Sequence, residues 1–244
     1  MAVEFREVTF GYHQDTVVLH DISFQLPPGK TLGLLGRTGS GKTSLTRLVC
    51  RLYDPQGGTI HLGGQDIRRS TVPGLRQRIG MVTQNVQLFH GTVRDNLSLY
   101  DPSFPDERLR EVIAELGLAP WYAALPEGLD TVLAHEGGLS AGEAQLLAFA
   151  RVFLRPAGLV ILDEASSRLD RGTEQLIERA LDKLVADRTV IIIAHRLATV
   201  QRVDEIMILD DGRILEQGHR EHLASDPNAH FHRLLQTGLE EVLA

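Results

Sequence analysis

The stretch Gly36-Arg37-Thr38-Gly39-Ser40-Gly41-Lys42-Thr43 has the spacing G-x-x-x-x-G-K-[ST] and directly follows the apolar run Thr31-Leu32-Gly33-Leu34-Leu35. A buried strand that turns through glycines into a helix restricts the chain to folds that hold a phosphate chain at a strand end. The residue types explain the spacing. Glycines let backbone N–H groups close around a β-phosphate, Lys42 supplies a compact positive charge, and Thr43 offers a hydroxyl to Mg²⁺. A helix beginning at about Gly41, with the helical run Ser44 to Leu52 behind it, adds the positive end of its dipole. The expected ligand is a nucleoside triphosphate.

The rest of the chain limits what can surround that site. At 244 residues the chain is long enough for a substantial core in one large or two small domains. Hydrophobic residues make up 43% and charged residues 23%, and no apolar run approaches the roughly 18 residues needed to cross a bilayer. A membrane role would therefore come through a partner or a further segment. The opening Met1-Ala2-Val3-Glu4-Phe5 has neither a basic leader nor an apolar targeting stretch, so a cytoplasmic setting is expected. A net charge of -7 disfavours a nucleic-acid partner, and Arg68, Arg69, Arg76 and Arg78 read as a solvated face. The one cysteine, Cys50, excludes a disulfide within the chain and reads as a small buried hydrophobe. His219, His222, His230 and His232 lie near one another in a helical tail, without ligand spacing for a metal.

Apolar and polar residues alternate through Val3-Phe5-Val8-Phe10 and Ile22-Phe24-Leu26, with turn residues between them, which predicts antiparallel strands beside the phosphate-binding strand. From Gln84 to Ser140 short helical segments such as Pro105 to Leu116 are broken by Gly117, Pro120 and Pro126, which predicts an inserted helical subdomain. Beyond it the pattern predicts a helix (Ala144 to Leu154), a strand (Leu159 to Leu162), a helix (Thr173 to Val185), and strands at Thr189 to Ala194 and Glu205 to Leu209. Continuous Val, Ile and Leu runs bounded by helices indicate parallel strands covered on both faces.

Leu159-Val160-Ile161-Leu162-Asp163-Glu164 ends an apolar strand in two carboxylates, and a parallel strand delivers its carboxyl end to the ligand crevice. Alone, this is also how a strand ends in solvated acids. Before it come Leu139-Ser140-Ala141-Gly142-Glu143 and the helical run Ala144 to Arg151; after it come Ser167-Arg168-Leu169-Asp170, then His195 behind the strand Val190 to Ala194. In this order and spacing the chain resembles the nucleotide-binding domain of ABC transporters, whose signature is usually written LSGGQ. The likeness runs from Tyr12 to Glu216-Gln217-Gly218-His219. Leu52-Tyr53-Asp54-Pro55 and the stretch Val82 to Asn96 are similar to the exporter-type branch.

The resemblance implies an α/β fold: a P-loop NTPase core with a mostly parallel sheet, an antiparallel β subdomain and an inserted helical subdomain. It implies one nucleotide-binding domain over 1–244, with a RecA-like core and antiparallel β subdomain over 1–84 and 155–244, and a signature-bearing helical subdomain over 85–154. It further implies ATP and Mg²⁺ as cofactors. Tyr12 would stack on adenine, as a flat aromatic does at modest entropic cost, although a strand-end packing role is the other reading. Gly36, Thr38, Gly39, Ser40, Gly41 and Lys42 would hold the phosphates, Ser44 the α-phosphate, and Thr43, Gln84 and Asp163 the Mg²⁺. Gln84 could also be a solvated loop residue and His195 a satisfied core histidine. Glu164 would polarise the attacking water and His195 contact the γ-phosphate. Ser140 and Gly142, at a helix N-terminus, would bind the γ-phosphate of ATP held by a second chain.

That second chain would be another nucleotide-binding domain, as homodimer or heterodimer, and the pair would drive the transmembrane domain of an exporter from the cytoplasmic face. The signature departs from the family at Ala141 and Glu143. An added methyl at Ala141 is harmless only at negative φ, and Glu143 brings a carboxylate towards polyphosphate. A degenerate or regulatory ATP-binding half with low turnover is therefore the alternative. The segment Asp130 to Gly138 is similar to a stretch that touches the membrane domain in exporters.

Overall fold

A computed structural model describes residues 1–13, 15–83, 86–133, 139–163, 171–194 and 196–237. The strands are β1 (Val3–Phe10), β2 (Leu19–Leu26), β3 (Thr31–Leu35), β4 (Gly57–Leu62), β5 (Gln65–Asp66), β6 (Ile79–Val82), β7 (Gly91–Thr92), β8 (Val132–Leu133), β9 (Leu159–Asp163), β10 (Thr189–Ile193), β11 (Glu205–Asp210) and β12 (Arg213–His219). The helices are α1 (Lys42–Val49), α2 (Val72–Gln77), α3 (Val93–Ser98), α4 (Asp106–Glu115), α5 (Ala119–Ala123), α6 (Ala141–Leu154), α7 (Arg171–Asp187), α8 (Leu197–Val200), α9 (Arg220–Ser225) and α10 (His230–Thr237).

A six-stranded sheet in the order β12-β11-β3-β10-β9-β6 carries the phosphate loop. Its strands run parallel except β12, which returns antiparallel beside β11. Side chains alternate between two cores, as the strand period requires. Leu32, Leu34, Leu159, Ile161, Ile191, Ile193, Met207 and Leu209 pack with α1 and the antiparallel sheet. Val160, Leu162, Val190, Ile192, Ile206 and Ile208 pack instead with the helical side of the molecule. Both faces are dry, which is why these strands read as unbroken apolar runs.

The first two strands do not flank β3 as the sequence pattern suggested. They belong to a separate four-stranded sheet, β2-β1-β4-β5, stacked over the parallel sheet through their shared core. Their apolar residues switch from odd (Val3, Phe5) to even (Val8, Phe10), and a strict period of two would put one pair in solvent. An irregularity between Phe5 and Val8 restores all four to the buried face. Glu7 takes a positive φ of 51° there and donates its N–H to Ser23 Oγ at 2.8 Å. Gly58 lies opposite, where a Cβ would stand 2.3 Å from the Arg6 and Glu7 carbonyl oxygens. An extra residue bending one strand is a β-bulge, and Gly58 makes room for it.

The helical subdomain lies in sequence between the neighbouring strands β6 and β9. Leu109, Val112 and Ile113 of α4 join Leu146, Leu147 and Phe149 of α6 in one core with the parallel sheet. The loop entering the insertion is pinned by Asn96, which has no exposed surface. Its side chain donates to the carbonyls of Phe89 and Thr92 at 2.9 and 3.1 Å and accepts from Phe89 N–H at 2.8 Å. Arg151 of α6 donates to the Asn96 carbonyl at 2.8 Å and lies over the Phe89 ring. The buried amide is thus satisfied on both sides, which is what makes its burial affordable. Among the described residues no helix is long and apolar enough to cross a membrane.

Candidate nucleotide-binding site

The parallel strands bring their carboxyl ends together. Ile193 pairs with Leu34 on one side and Asp163 on the other, so Asp163 stands level with the end of β3, two strand spacings or about 10 Å away. The phosphate loop leaves β3 at this edge. Gly36, Gly39 and Gly41 have φ of 143°, 88° and 106°, values that L side chains rarely adopt. A Cβ on Gly36 would also stand 2.2 Å from the Leu209 carbonyl oxygen of β11 and 2.6 Å from Ser40 Oγ. The neighbouring strand therefore leaves room only for glycine.

Inside the loop, Lys42 is 7% exposed and donates to the carbonyls of Gly36 and Arg37, the latter at 2.9 Å. Burial lowers its pKa, and the charge of Asp163 partly opposes that shift. A phosphate oxygen would offer the buried ammonium the same kind of compensation. Ser40 Oγ is buried without a hydrogen-bond partner, the kind of polar atom that a ligand oxygen satisfies. Thr38 and Thr43 are exposed, and Thr43 stands at the start of α1. Ser44 is buried, and its Oγ lies 2.9 Å from Tyr12 Oη. Tyr12, 37% exposed, is walled edge-on by Phe10 and Tyr53 at 5.0 and 5.1 Å.

The structure places the second group of predicted residues at the start of α6. The helix begins three residues earlier than its apolar pattern suggested, at Ala141, with Ser140 as its N-cap. Ser140 Oγ accepts from the Glu143 N–H at 3.2 Å, and the Glu143 carboxylate accepts from the Ser140 N–H at 2.8 Å. This reciprocal pair is a capping box, and its S-x-x-E spacing is the signal that would have marked the earlier start. Ala141 has the negative φ of a helix, so its methyl adds no strain. Gly142, also in the first turn, is buried.

Gln84, Glu164 and His195 lie outside the described residues, as do Ser167 to Asp170 and residues 134–138 of the stretch expected to meet a membrane domain. Sequence reasoning passed over Arg47, which donates to Tyr12 Oη at 3.0 Å and sits one helical turn beyond Ser44. It also passed over Glu216, whose carboxylate accepts from the N–H groups of His230 and Phe231 at 2.7 and 2.8 Å and so caps α10. The strand holding Glu216, β12, lies beyond the last predicted strand, and the signal that would have found it is Asp211-Gly212, a two-residue hairpin turn with both φ positive, 42° and 71°.

Residues 19–167 match the family described as ABC transporter. The chain belongs to the ABC transporter family. This ABC domain is 43% identical over 243 residues to the mycobactin import ATP-binding/permease protein IrtA of Mycolicibacterium smegmatis, covering 100% of the chain and 28% of that protein. It is 40% identical to the ATP-dependent lipid A-core flippase of Vibrio cholerae, covering 95% of the chain and 41% of the relative. A bacterial Atm1-family ABC exporter solved with ATP bound matches it with a TM-score of 0.87 and 34% identity, over 97% of the chain and 41% of that chain. The ABC domain thus spans well under half the length of these relatives.

Proposed function

We propose that this ABC domain binds Mg-ATP, pairs with a second nucleotide-binding domain around it, hydrolyses it, and so powers export of a substrate by a transmembrane domain, fused or separate, from the cytoplasmic face of a membrane. The observation that carries this reading is the phosphate loop itself. Three left-handed glycines, a buried lysine and a buried unpaired serine hydroxyl converge beside Asp163 at the carboxyl edge of a parallel sheet. Thr43 hydroxyl and Asp163 carboxylate are hard oxygen donors of the kind Mg²⁺ prefers, and Gln84 would join them. The metal would neutralise phosphate charge. Lys42 and the loop amides bind and orient the phosphates, and Tyr12 offers a ring face to the base. Glu164 would hold the attacking water, and His195 the γ-phosphate.

Closure of two such domains would place Ser140 and Gly142 of one chain against the phosphates of the other. Ser140 Oγ accepts within the cap, which leaves its proton for a phosphate oxygen. One observation favours the alternative of a slow or regulatory half: the Glu143 carboxylate already occupies the helix N-terminus where that phosphate would dock. The test is phosphate release from Mg-ATP together with sedimentation of the chain. Glu164→Gln should retain ATP binding, lose turnover and accumulate as an ATP-dependent dimer. Near-normal hydrolysis by that variant would sink the assignment of Glu164.

A further inference from the structure

Resting on that reading of the nucleotide site, we infer that Arg47 is a positioning residue for the nucleotide, holding Tyr12 and Ser44 in a one-way hydrogen-bond chain that ends on a phosphate oxygen. Arg47 Nη1 lies 3.0 Å from Tyr12 Oη, and Tyr12 Oη lies 2.9 Å from Ser44 Oγ, a pair in which either hydroxyl could donate. Arginine only donates. Its bond occupies a lone pair of Tyr12 Oη and favours directing the phenolic proton towards Ser44. Ser44 Oγ then accepts, and its own proton is left for an acceptor. Ser44 is the third residue of α1, 6% exposed, in the first turn of the helix whose N-terminus forms the phosphate loop. The acceptor chemistry that matches this place is an anionic phosphate oxygen.

Three further features fix the chain. Ser44 and Arg47 are spaced i, i+3 and so share one face of α1. The Arg47 guanidinium carbon also stands 5.9 Å from the Tyr12 ring centroid, so one cation holds both the ring and its hydroxyl. Phe10 and Tyr53 pack edge-on to that ring. A cation at the head of two successive O–H donors polarises each towards the negative end.

The experiment is titration of ADP into the purified 244-residue chain by calorimetry, with ATP and GTP affinities measured beside it. Tyr12→Phe keeps the ring and removes the link; Arg47→Met removes the head. Each should weaken ADP by about fivefold, the net scale of one ordinary hydrogen bond. The double variant should be no weaker than either alone, because both break the same chain. The ratio of ATP to GTP affinity should not move in Arg47→Met, since the chain ends on a phosphate common to both. An Arg47→Met affinity within about twofold of the parent, an additive double variant, or a changed purine preference would each overturn the proposal. Arg47→Ala, which likewise removes the donor, replaces Arg47→Met in the same cycle if the latter fails to fold. Failure of the parent chain itself to bind ADP would instead count against the nucleotide site as a whole.

Discussion

Gly36 shows how much one missing methyl decides. Its φ of 143° and the 2.2 Å approach that a Cβ would make to the Leu209 carbonyl leave no way to accommodate alanine without moving β11 or the loop. Gly36→Ala should cost about 2 kcal/mol or more of stability and abolish nucleotide binding, read by thermal unfolding and ADP titration on the same sample. Gly39 has open space around its Cβ position, so there only the backbone preference opposes a side chain. The motif spelling shows both glycines alike; the neighbouring strand separates them. Cys50 illustrates a residue whose reading held: it is buried, and burial pushes its thiol up to about 11. Alkylation at pH 8 should accordingly be slow in the folded chain and rapid after unfolding.

At the scale of an element, α6 joins stability to the proposed chemistry. Its capping box depends on Ser140 and Glu143, the second of which departs from the family's glutamine. Glutamine also completes such a box, so Glu143→Gln should change stability by less than about 0.5 kcal/mol. The same change removes a carboxylate from a helix end proposed to meet a phosphate, and turnover should rise. Paired measurement of melting temperature and phosphate release checks this. Unchanged turnover would mean that Glu143 does not limit the site. Apolar periodicity alone marks α6 from Ala144, because Ala141, Gly142 and Glu143 carry no apolar stripe; the true start rests on capping, which is a hydrogen-bond matter.

Across the whole molecule, one core runs without a break from Leu109, Val112 and Ile113 of the helical insertion to Ile192, Ile206 and Phe231 beside the parallel sheet. Such continuity predicts that insertion and sheet unfold together. Trp121, the single tryptophan, lies in α5 and packs against this core, so its fluorescence reports on the insertion while far-ultraviolet circular dichroism reports on the whole chain. The two transitions should coincide in urea. Leu147→Ala, which empties a fully buried site in α6, should destabilise by about 2–5 kcal/mol and shift both transitions equally. Separate midpoints would show that the insertion folds on its own.

The parallel strands β3, β9, β10 and β11, the phosphate loop and the family are all legible in the chain, because burial on both faces writes unbroken apolar runs and phosphate binding demands glycines and a lysine at set spacing. The sequence also carried the bulge at Glu7, as a switch of register from Phe5 to Val8, and the hairpin at Asp211-Gly212, though neither stands out until the strands are paired. What only the tertiary structure decided is which elements meet across long separations. The strands β1 and β2 form a sheet apart from β3, Leu209 presses on Gly36, Glu216 caps α10, and Arg47 ties Tyr12 to Ser44. Local propensity reaches a few residues along the chain, whereas these contacts arise where separately formed elements are packed together, and no spacing within the sequence records that geometry.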